Sequence, residues 1–316
     1  MPLISTLKKL HKRQAASVQN FLDTPSIVYI SQRFPQTHQA SVNYWNDWIP
    51  YAPQEIAKIF EEECLDGFEL HITPNTYGEF VFTLEQEGVG KRKQTYNFQY
   101  GFTKDSWTFF EENHRGGRIG RKMAMRFMEL DVAFGIKKMK QDAGKLLGAY
   151  VWAAMGFNIS KDNPKDVDLA LLNSQMVLAR LEGLRSFLPL TEFARAQIHA
   201  QGTNVDDMYH LAHRNFDLSS IDIDWDAVQL GVAKSLITSL AGLDREGAEC
   251  IAGEEVDRMK PIISFSKAAG QAAKLGKIAL VGRSWPSVVN YRDDQQMIRV
   301  QEYGGNFKTA QLLLNR

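Results

Sequence analysis

With 316 residues, 44% hydrophobic content and no net formal charge, the chain is long enough to bury a substantial core, as one large domain or two. Two distant cysteines, Cys64 and Cys250, exclude a disulfide framework or thiolate zinc site and make a reducing cytoplasm the expected location. No secretory leader and no apolar run long enough to span a bilayer can be read, so a soluble protein is expected.

In chain order, Leu3 to Leu22 places Leu7, Leu10, Ala15, Val18 and Phe21 among Lys8, Lys9, Lys12 and Arg13, the pattern of a basic amphipathic helix. Ile27 to Ile30 reads as a strand, and Pro53 to Phe60 opens a helix with proline in its first turn. Phe68–Ile72, Glu79–Thr83 and Thr95–Tyr100 read as neighbouring strands, with Asn75, Gly88 and Gly90 at the turns.

Ser106 to Phe110 is aromatic and β-prone and fits a buried strand end. It empties into Glu112-Asn-His-Arg-Gly-Gly-Arg-Ile-Gly-Arg121. Gly116, Gly117 and Gly120 permit a close backbone approach, and a turn that caps a helix presents amides to an anion. Met123, Phe127, Leu130 and Phe134 then mark one helix face, which Gly135 ends. Ile136–Gln141 is a second strand, and a helix rich in Leu146, Leu147, Tyr150, Val151, Ala154 and Met155 follows. Nine basic against three acidic residues between Arg115 and Lys145 would attract a phosphate-bearing ligand.

Over roughly residues 95 to 158 the chain resembles the GNAT superfamily of N-acetyltransferases. In that family a strand leads to an Arg/Gln-x-x-Gly-x-Gly/Ala turn that holds the pyrophosphate of acetyl-CoA. Arg115-Gly-Gly-Arg-Ile-Gly120 matches at Arg115 and Gly120, and departs where Arg118 replaces a glycine. The ending Met155-Gly156-Phe157 also matches a later signature. The resemblance implies acetyl-CoA, or another acyl-CoA, on Arg115, Gly116, Gly117, Arg118, Ile119, Gly120 and Arg121. It implies transfer to an amine acceptor, either a small molecule or a protein. Glu112 and His114, at the strand end, are candidate bases, and Tyr150 is the candidate acid. The family's acid position, five residues before the closing phenylalanine, holds Trp152 instead, and an indole N–H does not protonate a thiolate. Tyr150 lies about 200° away around a helix from that position. A catalytically silent binding or scaffold module of the same fold is therefore the rival reading. A nucleic-acid or envelope-binding protein ranks lower, because no aromatic platform interleaves the cations.

The implied fold is α/β: a GNAT-like mixed, mostly antiparallel sheet flanked by helices, with a large helical C-terminal addition. Residues 1–160 would form the acyl-CoA-binding core and 161–316 a mostly helical region. Its helices are expected over Val167–Leu188, Val205–Phe216, Trp225–Leu240 and Ile262–Leu275. Lys277–Val281 reads as a late strand, a candidate to rejoin the core sheet. His210 and His213, beside Asp206 and Asp207, have helical ligand spacing but no identifiable third ligand, so no metal is assigned.

Overall fold

The computed structural model describes residues 28–30, 38–60, 65–76, 78–111, 114, 119–142, 148–160, 162, 164–201 and 207–303. The amphipathic helix expected over Leu3 to Leu22 lies outside them. The chain divides into two compact units, Met1–Gln141 with Val289–Arg316, and Asp142–Val288. The described strands are β1 (Val28–Ile30), β2 (Glu69–Thr76), β3 (Glu79–Gln86), β4 (Gly90–Asn97), β5 (Phe102–Phe110), β6 (Lys138–Asp142), β7 (Asn158–Ile159) and β8 (Pro286–Asn290). Their order is β1-β2-β3-β4-β5-β6-β8-β7. Pairing is antiparallel from β2 through β5 and between β7 and β8, and parallel for β1–β2 and β5–β6. With eleven helices among the described residues, the protein is a mixed α/β molecule with a mostly antiparallel sheet.

In the first unit, period-two burial builds the middle of the sheet. Phe80, Phe82 and Leu84 of β3 are wholly buried and stand opposite Tyr96, Gln94 and Arg92 of β4. Three apolar side chains thus face two polar ones and a tyrosine on one inner surface. Helices α1 (His38–Trp48) and α2 (Pro53–Phe60) precede this sheet. Proline begins α2, and the Glu55 carboxylate accepts the Ala52 amide at 3.0 Å, which satisfies a first-turn donor. Phe60 then meets the Phe127 ring edge-on at 5.3 Å. Helix α3 (Ile119–Ala133) buries the expected stripe of Met123, Phe127, Leu130 and Phe134. Its end is a Schellman turn. Gly135 takes φ of 71°, its N–H bonds Val132 O, and the Ile136 N–H reaches back to Asp131 O. Phe134 lands among Phe82, Tyr96 and Phe98, with ring centroids 5.3 to 5.8 Å away. Helix α11 (Asp294–Tyr303) also belongs to this unit.

The second unit is mostly helical: α4 (Gly148–Ala154), α5 (Pro164–Leu184), α6 (Leu190–Ala200), α7 (Asp207–Ala212), α8 (Trp225–Ser239), α9 (Arg245–Ala268) and α10 (Leu275–Leu280). Asp224 caps α8 through the amides of Asp226 and Ala227, and Asp244 caps α9 through that of Gly247. Ile159 of β7 pairs with Ser287 of β8, and the Ser160 amide donates to Pro286 O at 2.7 Å.

Two expectations need correction here. The segment Lys277–Val281 is not a strand but most of α10, and the late strand comes afterwards, as β8. The cause is packing: a Cβ at Gly276 would lie 2.2 Å from Leu211 O, so this glycine lets α10 seat against α7. Likewise the helix expected to begin at Ile262 begins at Arg245 and runs through Pro261.

Helices α5 and α8 cross at two glycines. A Cβ on Gly183 would lie 2.7 Å from Val228 O, and one on Gly231 would lie 2.8 Å from Gly183 Cα. Gly183→Ala should therefore destabilise the protein, because overpacking of about 1–3 kcal/mol outweighs the ~1 kcal/mol gain in helix propensity. Gly253→Ala in α9 meets only the flexible end of Gln229, at 3.4 Å, and should hold or raise stability. Chemical denaturation midpoints of the two variants check this contrast.

Candidate ligand site at the end of strand β5

Strands β5 and β6 are parallel and joined through α3, but they stay together only briefly. Among the described residues, Phe102 pairs with Lys138 and Thr103 with Met139, whereas β5 continues to Phe110. The two strands thus part toward their carboxyl ends, where open α/β sheets bind ligands. On its other side β5 carries a bulge: Lys93 pairs with Trp107 and Thr95 with Lys104, so β5 uses one more residue than β4. A bulge of this kind re-aims backbone groups and is common beside functional sites.

The first described residue after the turn is Ile119, which starts α3, followed by Gly120 and Arg121. First-turn amides of a helix have no acceptor within it, so this end suits an anion. Gly120 has a further reason to be glycine. A Cβ there would lie 2.8 Å from the ring of Phe110, and one on Gly90 would lie 2.4 Å from the same ring. Phe110 is thus held between two glycines, and that contact ties the end of β5 to the start of α3. Arg121 places its guanidinium 4.5 Å from the centroid of Tyr303. Burial raises the pKa of the Tyr303 hydroxyl, opposed by the Arg121 charge.

His114 is half-buried, and its amide donates to Glu111 O at 2.9 Å. Glu112 and Arg115, Gly116, Gly117 and Arg118 lie outside the described residues. Tyr150 is half-buried on α4, in the second unit. In that unit Trp152 is buried and lies 4.8 Å from the Phe157 ring. The strand end read as buried is open: Trp107, Thr108 and Phe109 are exposed and Phe110 is half-buried.

Toward the other end of α3 the first unit holds a polar cluster that hydrophobic patterning does not reveal. Arg92, Gln94, Tyr96, Thr103 and Asp131 are wholly buried, and Tyr291 nearly so. The Asp131 carboxylate accepts Gln94 Nε2 at 2.7 Å, the Tyr291 hydroxyl at 2.5 Å and the Thr103 hydroxyl at 3.4 Å. Arg92 donates to Gln94 Oε1 and Thr108 Oγ1 and lies 5.2 Å from the centroid of Phe127. Burial pushes the Asp131 carboxyl up to about 7 against the pull of these donors and of Arg92. Burial likewise lowers Arg92 to about 10 and holds the Tyr96 and Tyr291 phenols well above their usual range. Asp131 is eleven residues beyond Gly120, about 16 Å along the helix, so the cluster orients α3 rather than touching a ligand at its start.

Comparison with protein-family models, with curated proteins and with solved structures returns no match.

The raised Asp131 carboxyl predicts a stability profile. Above pH ~4 the unfolded chain releases this proton, whereas the folded protein keeps it until about 7. Stability should therefore fall as pH rises through that window and level off above it. Asp131→Asn removes this titration, so melting temperatures measured from pH 4 to 8 should fall less in the variant than in the wild type.

Proposed function

We propose that this protein is an acyl-CoA-dependent N-acyltransferase, acting by acetyl transfer to an amine, on a GNAT-like fold. The observation that carries the reading is the parting of parallel strands β5 and β6 around the start of α3. A helix start and an opened strand edge then coincide at one end of the sheet, next in sequence to the glycine-rich segment 115–118. The order strand, turn, helix, strand, helix through α4 supports the same reading, as does the closing antiparallel pair β7 and β8.

The residues present fit such a cofactor. The positive end of α3 suits a pyrophosphate, and beyond the described pairs the edges of β5 and β6 offer main-chain donors and acceptors to an extended chain. When bound, acyl-CoA supplies an activated thioester carbonyl. The chain's own part is to hold the acceptor amine against that carbonyl and to take its proton. Glu112 or His114 serves as the base, directly or through water. Tyr150 or solvent would supply the proton that the departing thiolate takes up. Positioning supplies much of the rate.

Trp152, buried against Phe157, favours the second reading: a module of this fold that binds acyl-CoA without turning it over. Calorimetry with acetyl-CoA and thioester consumption across a panel of amines and peptides separate the two. Binding with turnover is expected; binding without turnover selects the silent module, and no binding removes both. Gly120→Asp should weaken binding by at least tenfold, and Arg118→Gly, which restores the family pattern, should strengthen it.

If Trp152 occupies the acid position of an active enzyme, Trp152→Tyr should leave turnover intact or raise it. Tyr150→Phe keeps the ring and deletes only the hydroxyl. Lost turnover at unchanged melting temperature in that variant would make Tyr150 the acid.

A further inference from the structure

Along the chain the basic residues and the aromatic rings of the first unit do not interleave, but across its sheet they do. Gln94 and Thr103 point to the α3 side, where they bond Asp131, and Arg92 bonds Thr108 on that same side. By the two-residue period of a strand, Lys93, Phe102 and Trp107 therefore belong to the opposite face. There Trp107 stands across from Lys93, and Phe102 is paired with Lys138 of β6. Lys140, two residues on, lies over the Phe102 ring at 5.5 Å. Tyr100 stacks with Phe102 at a centroid distance of 6.4 Å, and the Lys137 stem lies 3.5 Å from where a Cβ on Gly101 would be.

These rings are accessible: Tyr100 is 64% exposed and Trp107 43%. Rings in water with cations beside them are what a strand of bases and phosphates requires. The charges are uneven along β5. Glu85, Glu87 and Glu111 gather toward the Phe109 end, where Lys91 is already paired with Glu85. From Trp107 toward Tyr100, β4 to β6 instead carry Lys93, Lys104, Lys138 and Lys140, with Lys137 just before β6. The carboxylate described on that part of the face is Glu79, which is buried and held by Lys104 at 2.8 Å. Among the described residues, the ammonium groups of Lys93 and Lys137 have no ion-pair or hydrogen-bond partner.

We propose that this face of the sheet binds single-stranded nucleic acid. Bases stack on Trp107 and on the Tyr100 and Phe102 pair, and phosphates lie along Lys93, Lys137 and Lys140. With the bulge taken into account, Trp107 and Phe102 are about 15 Å apart along β5, the rise of about four stacked nucleotides. A strand therefore spans the platform where a mononucleotide does not. A duplex suits it less well, because its bases are already stacked and show only their edges. The face lies on the other side of the sheet from α3, and the proposal is independent of the acyltransferase reading.

The test titrates the full chain into a fluorescein-labelled oligothymidylate of about twelve nucleotides and reads its anisotropy. The oligonucleotide should bind, and more weakly as salt rises. Trp107→Ala should weaken it at least fivefold at unchanged melting temperature, and Trp107→Phe, which keeps a ring, should restore most of the affinity. Should Trp107→Ala melt lower, Tyr100→Ala, in a turn and more exposed, gives the same reading. Lys93→Gln should flatten the slope of log affinity against log salt by about 0.7, the share of one phosphate contact on a single strand. Absence of binding overturns the proposal, as does binding indifferent to both ring truncations. Equal competition by a duplex or by polyglutamate makes the face a surface for anions at large and overturns it. Displacement by equimolar acetyl-CoA assigns the rings to a cofactor's adenine and overturns it too.

Discussion

The constraint on which the first unit depends is the burial of Asp131. A carboxyl group with no access to water is tolerated only when its oxygens are met by donors, and here the donors come from separate pieces of chain. Gln94 lies on β4, Thr103 on β5, and Tyr291 just after β8. Displacing any of these elements would leave a buried acceptor unmet, at a cost larger than the net gain of making the bond. The cluster thus specifies how α3 lies on the sheet, and its polarity favours one arrangement over the many that an apolar interface would tolerate. Phe110, caught between Gly90 and Gly120, repeats the constraint at the other end of the helix. The place where β5 and β6 part, and where α3 begins, follows from these two contacts.

How far the fold could be read from the residues depended on whether apolar periodicity carried each element. The α3 stripe, the glycine that ends it, the proline that opens α2 and the Trp225 start of α8 were all legible, and each lies where expected. Strand β4 was legible only at its end, because its inward residues are Arg92, Gln94 and Tyr96 and their burial depends on partners distant in sequence. The expected strand at Thr95–Tyr100 therefore runs into the turn at Gly101, whose φ is 69°. The first half of α9 was missed for a different reason. Proline is read as a helix boundary, yet Pro261 is accommodated inside the helix at the loss of one backbone bond. Lys277–Val281 has the composition of a strand, but most of it forms α10, which Gly276 lets approach the α7 backbone. Of the candidate site, the helix start could be read locally. The polar cluster behind it could not, since no spacing along the chain links Arg92, Asp131 and Tyr291.

The charge blocks are a further case in which sequence proximity and structural role diverge. Part of the basic run from Arg115 to Lys145 is engaged within the first unit. Arg126 pairs with Glu129, Arg121 lies over Tyr303, and Lys140 lies over Phe102 at 5.5 Å. Such cations contribute less to a distant field than a count suggests, since each is partly neutralised or held against a ring. The start of α3 adds the partial positive charge of its first-turn amides to this segment. The acidic run from Phe216 to Lys260 resolves in the same way within the second unit. Asp217 accepts the amides of Ser219 and Ala273, Asp224 and Asp244 cap helices, and Glu255 joins three arginines. Two of these acids thus fasten helix starts.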